Sequence, residues 1–341
     1  MFSLVTGANG FIGSHLTRFL VERGEQVRVL VRPQSDVRSL EGLRAEFAYA
    51  DLRDASSLPP SLSGVQRVYH VAADYRLWAE NPQVIYESNV TGTRNLLIAA
   101  RQAGIDRFIY TSSVGTLVPR HPGTLPDEQT FLQLKDMIGH YKRSKYLAEQ
   151  EALEAARNGQ PVVIVNPTTP VGPGDWKPTP TGRIILDFLN GQIPAYVDTG
   201  LNFVAVEDVA VGHWLAAERG QIGIRYILGD RNLKLKQLLE ILSALSARPM
   251  PRLRLPHVVP YLASLADSLA ARLLRRPPRI PLEGVRMARH KMFVDTSKAK
   301  RELGFQPSPL EAALERAIRW YSENGYVKNP LRNRAARERA A

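Results

Sequence analysis

Val5-Thr6-Gly7-Ala8-Asn9-Gly10-Phe11-Ile12-Gly13 constrains this chain more than any other stretch. The apolar run before it, Phe2 to Val5, is too short for anything but a strand. A helical pattern follows it: Phe11, Ile12, Leu16, Phe19 and Leu20. The glycines therefore sit on a strand-to-helix turn, where a dinucleotide pyrophosphate is bound. Gly7 allows the tight turn, Gly10 lets the backbone approach the phosphates, and Gly13 lets helix and strand pack closely. Asn9, Phe11 and Ile12 complete this candidate cofactor set. A plain structural turn is the alternative, and the legible strand and helix on either side weigh against it.

The chain has 341 residues, enough for a large dinucleotide fold with a second lobe, or two domains. It contains no cysteine, which excludes disulfides, a thiolate nucleophile and zinc–thiolate sites. The first strand begins at Phe2, and no apolar run reaches the ~18 residues of a membrane span, so a cytoplasmic protein is expected. The formal net charge is +12, which suits nucleic acid, a membrane surface or an anionic ligand. No nucleic-acid-binding signature accompanies it. Much of the excess lies late, in Arg272, Arg275, Arg276, Arg279, Arg286 and Arg289, then in Arg332, Arg334, Arg337 and Arg339. These are either a solvated surface or an attraction to an anionic membrane face.

Strand and helix alternate through the first half. Strands are predicted at 26–31, 45–50, 67–71, 107–111 and 162–165, with the near-continuous apolar content of parallel strands covered on both faces. Helices are predicted at 11–23, 55–62, 82–103 and 141–157. This alternation implies an α/β fold: a Rossmann-like, doubly wound parallel sheet with a smaller C-terminal substrate lobe. The dinucleotide unit is placed at 1–170, the mixed lobe at 171–325 and a basic tail at 326–341. Residues 166–170 read as turn, and 203–206 as a segment rejoining the main sheet.

Arg32 ends the second strand, where an NAD enzyme carries a ribose-binding acid. An Arg there suits a 2′-phosphate, so NADP is favoured over NAD. Stacking on adenine or plain exposure are the alternatives. Asp51 and Leu52 follow the third strand, where a carboxylate can accept from the adenine amino group. Ala72 and Ala73 follow the fourth, small enough for close approach of ribose and phosphates.

Tyr141 and Lys145 lie four apart at a helix start and share one face. A phenol ionises near 10, and bringing it to neutrality takes roughly 4 kcal/mol of preference for the phenolate. A nearby ammonium and an oxidised nicotinamide are the expected sources. A Tyr-x-x-x-Lys pair is by itself weak. Tyr110-Thr111-Ser112-Ser113, at the C-terminal end of the fifth strand, strengthens it, because open parallel sheets place their ligands there. Ser113 can donate to a substrate oxygen while Tyr141 moves a proton.

These motifs, with Asn89-Val90, Gly92-Thr93, Asn166-Pro167, residues 203–210 and Asp295-Thr296-Ser297, occur in the order seen in extended short-chain dehydrogenases/reductases. The chain resembles that family to about residue 325. It is most similar to the hopanoid-associated sugar epimerase group through His70 to Trp78, Met137 to Lys145 and Asn166 to Gly182, and it also resembles dihydroflavonol-type reductases. The resemblance implies Tyr141 as general acid/base, Lys145 on the nicotinamide ribose, Ser113 on the substrate oxygen, and Asn89, Asn166 and Pro167 at the cofactor. One position departs from nucleotide-sugar epimerases. Their diphosphate-clamping Arg is here replaced within Gly200-Leu201-Asn202, and Arg183, Arg286 and Arg289 are the available substitutes.

Asp74, Tyr75, Trp78, Met137, Thr168, Trp176 and Lys177 fall in loops expected around the nicotinamide, with Asp74, Trp78 and Thr168 as candidate substrate contacts. His70, His121, His140, His213, His257 and His290 lack metal-ligand spacing and read as structural; no metal is expected. Residues 256–274 form an amphipathic pattern that either caps the cleft or lies on a membrane. The expected partner is a small-molecule or lipid-linked substrate and not nucleic acid. Peripheral membrane contact and a homodimer are both compatible with the pattern. Epimerisation and simple reduction share a first half-reaction, and a non-catalytic NADP sensor is the rival from another class.

Overall fold

The computed structural model describes residues 1–118, 125–274 and 276–328. His121, Arg275 and the four tail arginines lie outside them. In the first half, strands β1 (Phe2–Thr6), β2 (Gln26–Val31), β3 (Glu46–Tyr49), β4 (Arg67–His70), β5 (Arg107–Thr111) and β6 (Val162–Pro167) alternate with helices α1 (Phe11–Glu22), α2 (Pro59–Leu62), α3 (Gln83–Tyr86), α4 (Gly92–Gln102) and α5 (Gly139–Arg157). Then follow β7 (Thr169–Val171), α6 (Pro180–Leu189), β8 (Ala195–Tyr196), β9 (Gly200–Ala205), α7 (Val206–Arg219), β10 (Arg225–Leu228), β11 (Arg231–Lys234) and α8 (Leu235–Ser246). The last elements are β12 (Leu253–Arg254), α9 (Val258–Leu273), α10 (Leu282–Met287), α11 (Ser297–Leu303) and α12 (Leu310–Glu323).

The main sheet is parallel, in the order β10-β6-β5-β4-β1-β2-β3. Strand order reverses between β1 and β4, so the ligand crevice of such a sheet opens there. Helices cover both faces. On one, Leu16 and Leu20 pack with Val209, Ala216 and Phe305. On the other, Leu96, Ala100, Ala148 and Ala152 pack with Phe108 and Ile164. The first face is completed by residues well past 170, so the dinucleotide unit is not closed at that boundary. A second core, from Ile185 and Leu189 through Leu238 and Leu242 to Leu314 and Tyr321, builds the smaller lobe.

Several predicted elements differ from the structure. Residues 203–206 do not rejoin the main sheet. β9 pairs with β7 and β11 in a separate three-stranded sheet, and β10 takes the edge beside β6. The cause is local: β6 ends at Pro167, which has no N–H for a further ladder bond, and Thr168 bonds back to the Leu228 carbonyl (3.0 Å). The chain then turns into β7, so 166–170 is strand on both sides of one bend. β3 lies at the opposite edge with Phe47 and Tyr49 exposed, not covered on both faces. The 55–62 helix is split at Pro59-Pro60, where proline starts a new helix. The 82–103 helix is interrupted by a π turn at Glu87–Thr91. At the β10 edge, the buried Glu128 carboxylate accepts from the Ile227 N–H (2.8 Å) and closes that edge.

His70 and His213 are structural. The Thr93 hydroxyl donates to the Asn89 carbonyl, so it receives the His70 Nε2 proton, and His70 Nδ1 accepts from Thr6. His213 Nδ1 donates to the Val209 carbonyl and its Nε2 accepts from Thr111. Burial holds His70 down to about 3 and His213 to about 4. Both rings are therefore neutral when folded, while the unfolded chain takes up protons below about 6.5. Their stabilisation is complete above that pH and is lost as pH falls toward the folded values. The expected loss by pH 5 is about 4 kcal/mol for the two together. Urea unfolding at pH 7, 6 and 5 measures it, and a pH-independent midpoint would contradict it.

Candidate active site

The loops after β1 and β4 meet at the crevice. Gly7 has a left-handed backbone (φ 64°), and a Cβ there would lie 2.6 Å from the Ala72 Cα. A Cβ on Gly13 would lie 2.1 Å from the Gly7 carbonyl oxygen. Both positions demand glycine, as the turn reading requires. The Ala72 N–H is held by the Thr6 hydroxyl (3.2 Å), which His70 also bonds. Asn9, Gly10 and Phe11 form one wall of a cleft, and Gly174, Trp176 and Lys177 form the other. Trp176 and Lys177 thus roof the glycine turn, whereas the loop pattern predicts them around the nicotinamide. The Pro173 carbonyl bonds His15 (2.9 Å), the buried Asp175 accepts from Thr179 and Tyr321, and the Arg38 guanidinium lies 5.0 Å over the Trp176 ring. Ile12 packs beside the main core.

The Arg32 side chain is exposed and makes no hydrogen bond or ion pair with the described residues, while its carbonyl accepts from the Ser35 N–H (3.1 Å). Hydrogen bonds from Arg53 hold Asp51 below the usual carboxylate range, and those from Arg76 overcome burial to do the same for Asp74, with the Arg32 charge adding to both. Asp51 and Asp74 are engaged by those arginines at 2.6 and 2.5 Å. A Cβ on Gly92 would lie 2.9 Å from the Leu52 Cβ, so Leu52 presses on the start of α4. Ala73 is exposed.

Three side chains converge beyond β5. Ser113 leads a short turn and its Oγ accepts from the Gly115 N–H (3.1 Å). The Tyr141 phenol lies against that hydroxyl. The Lys145 ammonium donates to the Thr111 carbonyl (2.7 Å) and sits 4.6 Å over the Tyr110 ring. The expected acidification of Tyr141 by Lys145 is not what the protein alone produces. Burial pushes the phenol up, and the Ser113 hydroxyl only partly offsets it. Burial also drives Lys145 down to about 7, against the pull of Glu149, so its charge is weakened at neutral pH.

Two groups here were not singled out in the sequence. The Glu149 carboxylate is fully buried and accepts from Ser112 (2.5 Å), Thr116 (2.9 Å) and Asn166 (2.9 Å), with Arg225 at 3.6 Å. It braces both sides of the Ser113 turn. The signal was available, because Tyr141, Lys145 and Glu149 are spaced four apart. Lys142 is buried over Gly115, its Nζ 3.8 Å from the Met292 sulfur, and burial lowers it to about 8. Helix α5 starts at Gly139, two residues before the predicted start. A left-handed glycine (φ 80°) lies beneath the Glu283 carboxylate, which accepts the His140 N–H (3.1 Å). That acid is 143 residues away in sequence, beyond the reach of local capping rules.

Several predicted contacts serve the protein itself. The Asn89 amide bonds both backbone groups of Asp74 (2.7 and 2.9 Å) and the Ser144 hydroxyl (2.9 Å), reached from the π turn. Asn166 Nδ2 is committed to the Glu149 network, while its Oδ1 is buried without a partner. Pro167 ends β6 beside Leu228. The Thr168 hydroxyl bonds the Leu228 carbonyl (3.3 Å), and Met137 is buried in the core. Trp78 and Tyr75 are 43% and 41% exposed, and the Tyr75 hydroxyl donates to the Lys177 carbonyl (3.4 Å) in the cleft over the glycine turn. Arg183 lies near Asp175, Arg289 lies over Tyr261, and Arg286 is exposed. Among the described residues there is no cluster able to hold a metal.

Residues 3–229 match the model of the NAD dependent epimerase/dehydratase family. The chain is similar to a putative dihydroflavonol 4-reductase of Synechocystis sp., 46% identical over 95% of each chain. It is also similar to sterol demethylase protein B of Methylococcus capsulatus, 38% identical over 96% of this chain and all of that one. The crystal structure of gox2253 superposes with a TM-score of 0.86 at 47% identity, over 96% of this chain and 99% of the other.

Proposed function

The chain belongs to the NAD dependent epimerase/dehydratase family, and from that premise we propose an NADP-dependent oxidoreductase that interconverts a carbinol and a ketone. One observation carries this reading: Ser113, Tyr141 and Lys145 converge at the C-terminal end of β5, beside the glycine turn of the β1–β4 crevice. The glycine positions that tolerate no Cβ fit a nicotinamide dinucleotide. Gly7 and Gly13 hold the turn and helix close-packed so that the backbone at Gly10 would approach its phosphates, and Arg32 would meet a 2′-phosphate. When bound, that group supplies or accepts the hydride at the carbinol carbon.

The protein's part is proton handling. Ser113 donates to the substrate oxygen and orients it. Tyr141, kept protonated by burial, delivers its proton to that oxygen as the carbonyl is reduced. Lys145 bonds the cofactor ribose and, when charged, favours the phenolate left behind. Glu149 holds the Ser113 turn and the α5 face in one geometry. A proton-donating phenol suits reduction, and the relatives named as a reductase and a sterol demethylase component support it.

For the substrate we propose a ketone or carbinol on a hopanoid-type polycyclic lipid or on a sugar-like group it carries. The relative named for sterol demethylation supports a lipid of that shape. Epimerisation of a sugar-like group is the second reading, favoured by the family's description. Leu201 in the clamp position weighs against a nucleotide-sugar substrate, since a leucine supplies no charge-assisted bonds.

The test is stoichiometry. With a polycyclic ketone, NADPH and not NADH is oxidised mole for mole with alcohol formed. Product formed without net cofactor consumption would establish epimerisation instead. Equal use of NADH would remove the assignment of Arg32 to a 2′-phosphate.

A further inference from the structure

Helix α9 is apolar on its outward face. Val258, Leu262, Leu265, Leu269 and Leu273 recur at helical spacing and are 39% to 77% exposed. The face that packs is the opposite one. Ser264 and Ala271 are its buried residues, and the Ser264 hydroxyl donates to the Ile280 carbonyl (2.9 Å). Asp267 accepts from the Ile280 N–H (2.9 Å) and pairs with Arg276 (2.6 Å). The leucine stripe therefore does not cap the cleft.

The surroundings of the stripe are basic. Between Arg252 and Lys291 the sequence has nine Arg and Lys residues and two acids, Asp267 and Glu283; Arg254 and Lys291 pair with Asp198 and Arg276 with Asp267. Both acids are engaged on the protein side, Asp267 as above and Glu283 at the His140 N–H. Arg272, Arg279, Arg286 and Arg289 are exposed. Oily residues facing outward over about 24 Å of helix, rimmed by unneutralised guanidinium groups, match the chemistry of an anionic bilayer surface.

We propose that the outward face of α9 rests on an anionic lipid bilayer, lying in its plane with the leucines among the acyl chains and the arginines at the headgroups. A second copy of the chain fits less well. A two-fold contact through this face sets each arginine rim against its like. The helix has 16 residues, short of a span, and no helix among the described residues is long and apolar enough to cross a membrane.

The placement has a consequence for access. α10 packs on α9 and carries Glu283 to the first turn of α5, two residues from Tyr141. A membrane against the outward face of α9 thus lies on the far side of α9 and α10 from the start of α5, and a lipid substrate would pass these two helices to reach Tyr141. The bilayer contact itself does not depend on the proposed reaction.

Vesicle co-sedimentation of the full chain tests it, with phosphatidylcholine alone and phosphatidylcholine mixed with phosphatidylglycerol. The chain sediments with the anionic vesicles and far less with the neutral ones. The exposed triple variant Leu262→Gln, Leu265→Gln, Leu269→Gln partitions about tenfold less or weaker, with an unchanged urea midpoint. Failure of the wild type to bind anionic vesicles, or equal binding of the triple variant, would overturn the proposal. Conversion of a dimer to monomers by the triple variant, read by sedimentation velocity, would assign the face to a second copy and overturn it as well.

Discussion

Tyr141→Phe lowers kcat by about 10²–10⁴-fold, the range of a lost general acid, while NADPH affinity changes by no more than one hydrogen bond is worth, about tenfold. Phe keeps the ring and removes only the phenol. No neighbour replaces it. The Ser113 hydroxyl can donate a hydrogen bond but is far too weak an acid to give up its proton, and the Lys145 ammonium already donates to the Thr111 carbonyl. The packing is retained, so the variant folds with near wild-type stability. Steady-state turnover and equilibrium titration with NADPH separate the two effects. A variant that turns over normally would refute Tyr141 as proton donor. One that fails to bind NADPH would show that the phenol serves the cofactor instead.

Glu149→Ala destabilises the fold by about 3–5 kcal/mol, as removal of one partner from a buried charged network does. Ser112, Thr116 and Asn166 each lose their carboxylate acceptor, and Arg225 its nearest acid. All three neutral partners are buried, so water does not replace it. The Ser113 turn, gripped from Ser112 and Thr116, loosens with them. Turnover then falls further than substrate affinity, because the proton donor and its hydroxyl partner drift out of register. Glu149→Gln keeps the shape and one acceptor oxygen and loses less on both counts. Chemical unfolding gives the stability difference, and kcat against KM gives the positioning effect. A stable Ala variant with unchanged kcat would remove Glu149 from the site.

The parts legible in the sequence are those that repeat at a fixed period or sit at a chemically demanding position. The glycine turn was legible because Gly7 and Gly13 tolerate no Cβ. Strands β1, β2, β4, β5 and β6 were legible because parallel strands buried on both faces read as apolar runs, whereas β3 lies exposed at the sheet edge. Tyr141 and Lys145 were legible from helical spacing, and Glu149 lay one further step along the same face. What was not legible depends on partners far apart in the chain. β9 resembles a core strand, and only the bend after Pro167 sends it to a second sheet. The π turn at Glu87–Thr91 follows from Asn89 reaching the Asp74 backbone, which no local propensity encodes. Trp176 and Lys177 fold over the glycine turn because Asp175 is anchored by Tyr321, 146 residues away. The direction in which Tyr141 is shifted was also hidden. Spacing shows that an ammonium is near, but not that burial has weakened it.

The central claim is that Tyr141 is a proton donor whose acidity rises only when positive charge is added beside it. Ultraviolet difference titration of the phenols, in wild type and Tyr141→Phe, with and without NADP⁺, measures this without a substrate. The account predicts one phenol that ionises well below 10 in wild type with NADP⁺, above 10 without it, and is missing from Tyr141→Phe. Identical titrations of the two proteins in the presence of NADP⁺ would contradict it.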